Sequence, residues 1–177
     1  RLGKQLMATV AEGSRTRIYL PPSEEQEAAA DLKRPVGPPE GELSTHTQYM
    51  GAPLYGMTQI ADLFSARQLT ALMTFSDLVA EARQLVFNDA TAAGMPEGER
   101  LEAGGCGAAA YADAVATYLG LGVSKIADMN NSIARWKPTM DQAIALFARQ
   151  AIPMAWDYAE TPPLSEKHAG GFITSLT

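Results

Sequence analysis

Hydrophobic and polar positions follow a helical period over two long stretches of the chain. The first stretch begins at Ser65-Ala-Arg-Gln68, where the Ser and Gln side chains can cap each other's backbone, and continues to Gly94, a residue suited to a left-handed helix end. The second runs over 108–129, where alanines and glycines permit close approach of another helix. The pattern predicts a mainly α-helical (α+β) fold centred on two long antiparallel helices, over about 66–93 and 108–129. Apolar coverage of the first helix is broad, which predicts burial on more than one side.

The N-terminal third shows strand and turn patterns instead. Two short apolar runs, over 6–10 and 16–20, flank Gly13-Ser-Arg15 and predict a β-hairpin. Ser23 followed by Gln26 predicts the start of a surface helix over 23–33. Residues 34–57 hold four of the 11 prolines, which predicts an extended segment on the surface.

A third apolar run, over 147–160, mixes aromatic and polar residues. The preceding Thr139-Met-Asp-Gln142 has the pattern of a helix start, so a helix is predicted from about Met140 through Arg149. Pro153 cannot continue that helix, and we expect it to begin a second short helix.

Two interpretations of this run stay open. In the predicted second helix, Trp156 and Glu160 lie one turn apart and Asp157 lies one turn from Pro153, which would give a rigid polar corner suited to binding. In the other interpretation the aromatic and aliphatic residues fill a core, and Arg149 forms a structural ion pair with Asp157 or Glu160.

Composition limits the class of protein. The 177 residues are 46% hydrophobic and 19% charged, which favours one domain over 1–177, with a hairpin and proline-rich part (1–57), a helical core (58–164) and a tail (165–177). The net charge of −6 has the wrong sign for a free-standing nucleic-acid binder. The chain begins without Met, and we expect it to be a piece of a longer protein.

Metal and redox chemistry have little support in the sequence. Cys106 is the single cysteine, and His46 and His168 are isolated, so neither a disulfide framework nor a metal site is predicted. No apolar run is long enough to cross a bilayer, and we expect a cytoplasmic location and no membrane partner. The glycine-rich loop over 95–107 lacks the spacing and Lys of a phosphate loop, which favours a flexible linker.

Several runs together resemble the middle of a large prokaryotic DNA methylase carrying a DUF1156 domain. The resemblance covers nearly the whole chain. Its runs are Arg1-Leu-Gly-Lys-Gln-Leu-Met-Ala-Thr-Val-Ala-Glu-Gly13, Arg17-Ile-Tyr-Leu-Pro-Pro22, Tyr55-Gly-Met-Thr58, Asp62-Leu-Phe64, Arg67-Gln-Leu69, Thr74-Phe-Ser-Asp-Leu-Val79, Glu81-Ala-Arg83, Phe147-Ala-Arg-Gln-Ala-Ile-Pro-Met154 and Trp156-Asp-Tyr-Ala-Glu160.

The resemblance implies a parent enzyme that transfers a methyl group from S-adenosylmethionine to the exocyclic amine of adenine or cytosine in DNA. In that family a Gly-rich cofactor motif precedes this region and an Asp-Pro-Pro-Tyr catalytic motif follows it. Neither motif is present in this sequence, since none of its three Pro-Pro pairs has the preceding Asp or Asn and the following aromatic residue. We therefore expect no catalytic residue and no cofactor site in this chain. It also has Thr161-Pro-Pro-Leu164 where the family usually continues toward Asn-Pro-Phe, which puts in doubt any role of that Asn or Phe.

Two functions are consistent with these patterns. The chain can be a non-catalytic part of the methylase that shapes the DNA-binding or active-site cleft, or a scaffold that binds the rest of its own chain or a partner from a defence operon without touching DNA. For the first function, Trp156, Asp157 and Glu160 are expected to give structural support. The candidate DNA contacts are the Arg, Asn, Gln and neighbouring residues of the polar runs: Asn130, Asn131, Ser132, Arg135, Trp136, Arg149 and Gln150.

Overall fold

A computed structural model describes residues 3–148, 150–166 and 170–176 and confirms the predicted fold class. Helices dominate, and the strands form two short antiparallel hairpins. The strands and α-helices in chain order are β1 (Thr9–Glu12), β2 (Arg17–Leu20), α1 (Glu24–Ala30), α2 (Ala66–Ala92), α3 (Ala108–Met129), β3 (Trp136–Lys137), β4 (Gln142–Ala143) and α4 (Phe172–Ser175). Short 3-10 helices span Ala52–Tyr55, Ile60–Leu63, Leu101–Ala103 and Leu146–Ala148.

The chain forms two compact units, each built from two separate segments. The first unit comprises Arg1–Leu69 and Asn131–Ala159, and the second comprises Thr70–Asn130 and Glu160–Thr177. These boundaries do not coincide with the organisation into 1–57, 58–164 and 165–177 that the sequence suggests.

The second unit contains most of the two long helices, and they run antiparallel as predicted. The Nε atom of Arg83 on α2 lies 2.6 Å from a carboxylate oxygen of Asp113 on α3. Further along, Phe75 stacks on Phe172 of α4 with ring centroids 4.8 Å apart, and Phe172 in turn packs beside Gly122 of α3. Moving along the pair, residue numbers decrease on α2 while they increase on α3, so the two helices run in opposite directions.

The helix ends are fixed by local capping. The Ser65 hydroxyl accepts from the N–H of Gln68, and the Gln68 side chain accepts from the N–H of Ser65, as the sequence predicts. At the other end of α2, Gly94 adopts a φ of 89° and donates its N–H to Thr91, while Met95 donates to Ala90. This is the left-handed glycine termination expected from the sequence.

Burial of the two helices is narrower than predicted. Leu78 and Leu85 of α2 are exposed, and Leu119 of α3 is only half-buried, whereas Ile126 of α3 is 1% exposed. In the described part of the second unit, the two helices are covered by each other, by the loop that joins them and by the short α4. That cover does not extend around α2, so the prediction that α2 is buried on more than one side is wrong.

The first unit has a hydrophobic core made largely of irregular backbone. Part of this core comes from the proline-rich segment over 34–57, which is mostly exposed as predicted but contributes two buried residues. The core consists of Leu43, Ala52, Leu63, Ile133, Leu146, Ile152 and Ala155.

The N-terminal elements match their predictions more closely. The β1–β2 hairpin is present, with Val10 opposite Tyr19. The helix α1 carries the predicted capping box between Ser23 and Gln26 and has no buried residue. It is shorter than the predicted 23–33, because the backbone leaves the helix at Asp31.

No α-helix forms over the described residues of the stretch predicted from Met140 to Arg149, where only Leu146–Ala148 makes a short 3-10 turn. A hairpin takes its place, with Trp136 opposite Ala143 in β3 and β4. Asp141 has a φ of 49°, the left-handed region that a turn uses and a helix cannot. The Thr139-to-Gln142 pattern is therefore part of a β-turn.

The second short helix predicted from Pro153 is also wrong, because the segment is irregular there. Ile152 donates its N–H to the carbonyl of Tyr49 and accepts from the N–H of Gly51, forming a parallel bridge beside Met50. The backbone groups that could start a helix are thus paired with a segment about 100 residues earlier in the chain.

Candidate functional site

Two of the candidate DNA contacts, Asn131 and Ser132, are buried in the first unit. The Asn131 Oδ1 atom accepts from the N–H of Ile133 at 3.0 Å. The backbone N–H and the hydroxyl of Ser132 both donate to the carbonyl of Leu63, at 2.7 and 2.8 Å. Buried polar groups of this kind satisfy backbone that is outside regular structure. Their side chains are not on the surface, so their position does not suit contact with DNA.

Asn130 has a comparable structural role in the second unit. It is 4% exposed, and its Nδ2 atom donates to the carbonyl of Gly170 at 3.1 Å. Its Oδ1 atom accepts from the N–H and the hydroxyl of Thr161 at 2.8 and 2.9 Å. The side chain therefore joins the end of α3 to two later segments, and it too is removed from the surface.

Trp136 connects the two hairpins of the first unit. Its indole Nε1 donates to the hydroxyl of Tyr19 at 3.0 Å, and that hydroxyl donates to Asp141 at 2.9 Å. The Tyr19 and Trp136 rings meet edge to face, with centroids 6.3 Å apart. Trp136 thus holds β3 against β2 through a polar chain and a ring contact.

The remaining described candidates, Arg135 and Gln150, are exposed. Arg135 directly precedes β3, and its carbonyl accepts from the N–H of Ile144, which fixes its backbone. Lys137, on β3 itself, is half-buried. Arg149 lies outside the described residues.

Charge is distributed unequally between the two units. The first unit contains ten Lys and Arg residues and ten Asp and Glu residues, so it has no net charge. The second contains four Lys and Arg against ten Asp and Glu, so it carries the whole net charge of −6. A contact with a polyanion is electrostatically more favourable on the first unit.

Trp156 is 65% exposed and does not fill a core. Its ring stands perpendicular to that of Tyr55, with centroids 5.0 Å apart. Asp157 and Glu160 are exposed. Their predicted ion pair with Arg149 cannot be placed, because Arg149 is outside the described residues.

The sequence analysis did not predict a cluster of two arginines around Asp113. Asp113 of α3 binds the Nε atoms of Arg83 and Arg100, each at 2.6 Å, and accepts from the N–H of Leu101 at 3.1 Å. The hydrogen bond from Arg100 lowers the pKa of Asp113 to about 2, burial opposes that shift, and the bonds from Arg83 and Leu101 reinforce it. The same hydrogen bond raises the pKa of Arg100. The cluster fixes the loop after α2 on the helix pair.

This cluster makes stability depend on pH at the acid end. An Asp113→Asn variant should be less stable than wild type by a constant margin above about pH 5. The margin should shrink as the pH falls through 3.8 toward about 2, because the carboxylate protonates in the unfolded chain before it does so in the folded chain.

Thermal melting of both proteins from pH 2 to pH 7 measures this margin. An Asp77→Asn variant, which changes an exposed carboxylate on α2, is the control and should differ from wild type by little at any pH. A margin for Asp113→Asn that does not change between pH 4 and pH 2 would contradict the assignment.

Several glycines of the loop over 95–107 allow close contacts within the loop itself. A Cβ atom at Gly98, Gly105 or Gly107 would overlap carbonyl oxygens of the same loop. These glycines permit the loop to pack on itself, with Ala108 donating to Pro96. The loop is held by such bonds and by the Asp113 cluster, which differs from the flexible linker that the sequence suggests.

Comparisons with known proteins give no identification. No family model, no curated protein and no solved structure matches the chain. Within the described residues, no group of three or more His, Cys, Asp or Glu side chains is placed to hold a metal ion. In the same part of the chain, no helix combines the length and apolar character needed to cross a bilayer.

Proposed function

We propose that this chain is a non-catalytic internal part of a larger S-adenosylmethionine-dependent DNA methyltransferase, which modifies an exocyclic amine of adenine or cytosine. The observation that carries the proposal is the resemblance of its long sequence runs to that family, together with the absence of the Gly-rich and Asp-Pro-Pro-Tyr motifs from this sequence. In this role the chain shapes the DNA-binding or active-site cleft, and the rest of the methylase chain performs the transfer.

The distribution of the resembling runs supports the first unit as the part that contacts DNA. The runs over 1–13, 17–22, 55–58, 62–64, 67–69 and 147–154 belong to that unit, whereas those over 74–79 and 81–83 belong to the second; the run over 156–160 belongs to the first unit except for its last residue. The first unit is also the one without net negative charge. Repulsion of the phosphate backbone is therefore weaker there.

Within the first unit, Arg135 is the best-placed contact. Its side chain is exposed, and its backbone is anchored by the bond from Ile144 and by the buried Asn131 and Ser132 just before it. A guanidinium can bind a phosphate through two parallel N–H donors, and the anchored backbone fixes the point from which the side chain extends. Trp136 supports this position, and the polar run before Arg135 acts through the backbone.

The test is titration of a fluorescently labelled DNA duplex with this chain, read by anisotropy at several salt concentrations. Wild type should bind with a salt-dependent affinity. Arg135→Ala should weaken binding severalfold and reduce the slope of log affinity against log salt by about 0.9, the value for one phosphate contact. Lys125→Ala, the same loss of charge on the acidic second unit, should change neither quantity.

The alternative function is a scaffold that binds protein and leaves DNA alone, and the acidic second unit favours it. It predicts no anisotropy change with wild type even at low salt. Equal losses for Arg135→Ala and Lys125→Ala would also contradict a specific contact at Arg135, since they would indicate only a general effect of charge.

A further inference from the structure

The β3–β4 hairpin of the first unit has two faces of different chemistry. Trp136 pairs with the buried Ala143 across the ladder, and these two form the inner face. The ladder extends back to Arg135, whose carbonyl accepts from the N–H of the residue that follows β4. Alternation along a strand places Arg135 and Lys137 on the opposite, outer face. Gln142, the exposed partner of Lys137 in the ladder, lies there too. The outer face therefore combines two cations with an amide.

The hydroxyl of Tyr19 on β2 holds this hairpin at two points. It accepts from the indole Nε1 of Trp136 in β3 at 3.0 Å and donates to the carboxylate of Asp141 in the turn at 2.9 Å. Asp141 has a φ of 49°, a region that few residues other than glycine adopt, although Asp does so more readily than most. One oxygen atom of β2 thus fixes both the strand and the turn of the hairpin.

The same hydroxyl determines where the negative charge of the hairpin lies. Residues 130–156 contain three cations, Arg135, Lys137 and Arg149, and a single acid, Asp141. The Asp141 carboxylate is bound by the hydroxyl whose ring meets Trp136, on the inner side of the hairpin. A carboxylate released from Tyr19 could instead pair with Lys137 across the turn and neutralise it.

We propose that the outer face of the β3–β4 hairpin binds neighbouring phosphates of one DNA strand through Arg135 and Lys137, and that Tyr19 is the positioning residue for this contact. The inference rests on the proposed function and adds to it a second cation and the group that orients both. Positions two apart on a strand are separated by about 6.6 Å, so each cation can reach its own phosphate. The Gln142 amide can donate to a phosphate or sugar oxygen between them.

Anisotropy titration of the labelled duplex at several salt concentrations tests the contact. Lys137→Ala should weaken binding severalfold and reduce the slope of log affinity against log salt by about 0.9, and combining it with Arg135→Ala should reduce the slope by about 1.8. Lys33→Ala removes the same charge at an exposed position of the first unit outside the hairpin and should leave both quantities unchanged.

A double-mutant cycle tests the positioning role. Tyr19→Phe keeps the ring, removes the hydroxyl and should weaken binding severalfold. In a chain that lacks both Arg135 and Lys137, titrated at low salt, the same change should have no effect, because Tyr19 acts only through those two side chains. Tyr55→Phe is the matched control, since Tyr55 is similarly exposed and also meets a tryptophan edge to face. It should bind like wild type, and circular dichroism shows that each variant is folded.

The outcomes separate this inference from the proposed function. Binding by wild type with no loss for Tyr19→Phe would overturn the positioning role. A Tyr19→Phe loss that persists in the chain without both cations would also overturn it, because the hydroxyl would then act on the fold in general. Equal losses for Lys33→Ala and Lys137→Ala would overturn the contact at the outer face. A wild-type chain that does not bind DNA would refute the proposed function, and this inference with it.

Discussion

Replacement of Gly98 by alanine is expected to destabilise the second unit far more than the same replacement at Gly104. Both glycines have nearly the same backbone angle, with φ of 67° and 72°, so alanine incurs a similar backbone cost of about 1–2 kcal/mol at either site. At Gly104 an added Cβ meets nothing within 4 Å. At Gly98 it would overlap the carbonyl oxygen of Cys106, a backbone atom that cannot rotate away.

Urea denaturation followed by circular dichroism measures the difference between the two variants. We expect Gly104→Ala to lose about 1–2 kcal/mol of unfolding free energy and Gly98→Ala to lose about 2–5 kcal/mol, because overpacking adds to the backbone cost. Equal losses would mean that the loop is not closed at Gly98 in solution.

Replacement of Ile126 by aspartate should unfold the second unit. Ile126 is 1% exposed, so the change removes an apolar side chain worth about 2–5 kcal/mol and leaves a carboxylate without a partner, which costs about 3–5 kcal/mol more. That sum is comparable with the whole stability of a domain, about 5–15 kcal/mol. Helical circular dichroism at 25 °C should fall sharply.

Ser124→Asp is the matched control for this change. It places the same side chain two residues away on the same helix, at an exposed position, and should alter stability by no more than about 0.5 kcal/mol. If Ile126→Asp melts close to Ser124→Asp, then Ile126 is not part of a packed core.

The long helices could be predicted because local residues decide them. The capping pair Ser65 and Gln68 lies within one turn, and Gly94 alone supplies the backbone angle that ends α2. The same holds for Ser23 and Gln26 at α1. Such signals need no knowledge of the rest of the chain.

The segment over 136–160 could not be predicted, because distant residues decide it. The Thr139-to-Gln142 pattern reads as a cap, yet Asp141 is held in a turn that bonds to Tyr19, 122 residues away in sequence. Ile152 likewise pairs its backbone with Tyr49 and Gly51. Tertiary partners of this kind override local propensity.

The roles of the candidate site residues could not be predicted from the sequence for the same reason. A run of amides and hydroxyls such as Asn130 to Ser132 has the composition of a polar surface, but the structure uses it to satisfy buried backbone as the chain leaves α3. Asp113 lies in an alanine-rich helix, and the residues near it in sequence do not predict that Arg83 and Arg100 are its partners. The roles of Asn130 to Ser132 and of Asp113 can be assigned only from the three-dimensional structure.

The interrupted first unit determines the order in which the chain can fold during synthesis. Leu43 and Leu63 leave the ribosome early, but their core partners Ile133 and Ile152 follow only after the segment over 70–130. At about 5–20 residues per second, making that segment takes roughly 3–12 s. The helical hairpin within it depends on contacts close in sequence and can form in microseconds to milliseconds. Three of the seven core residues of the first unit are therefore made before their partners and stay exposed while the helical hairpin that follows them in sequence is already folded.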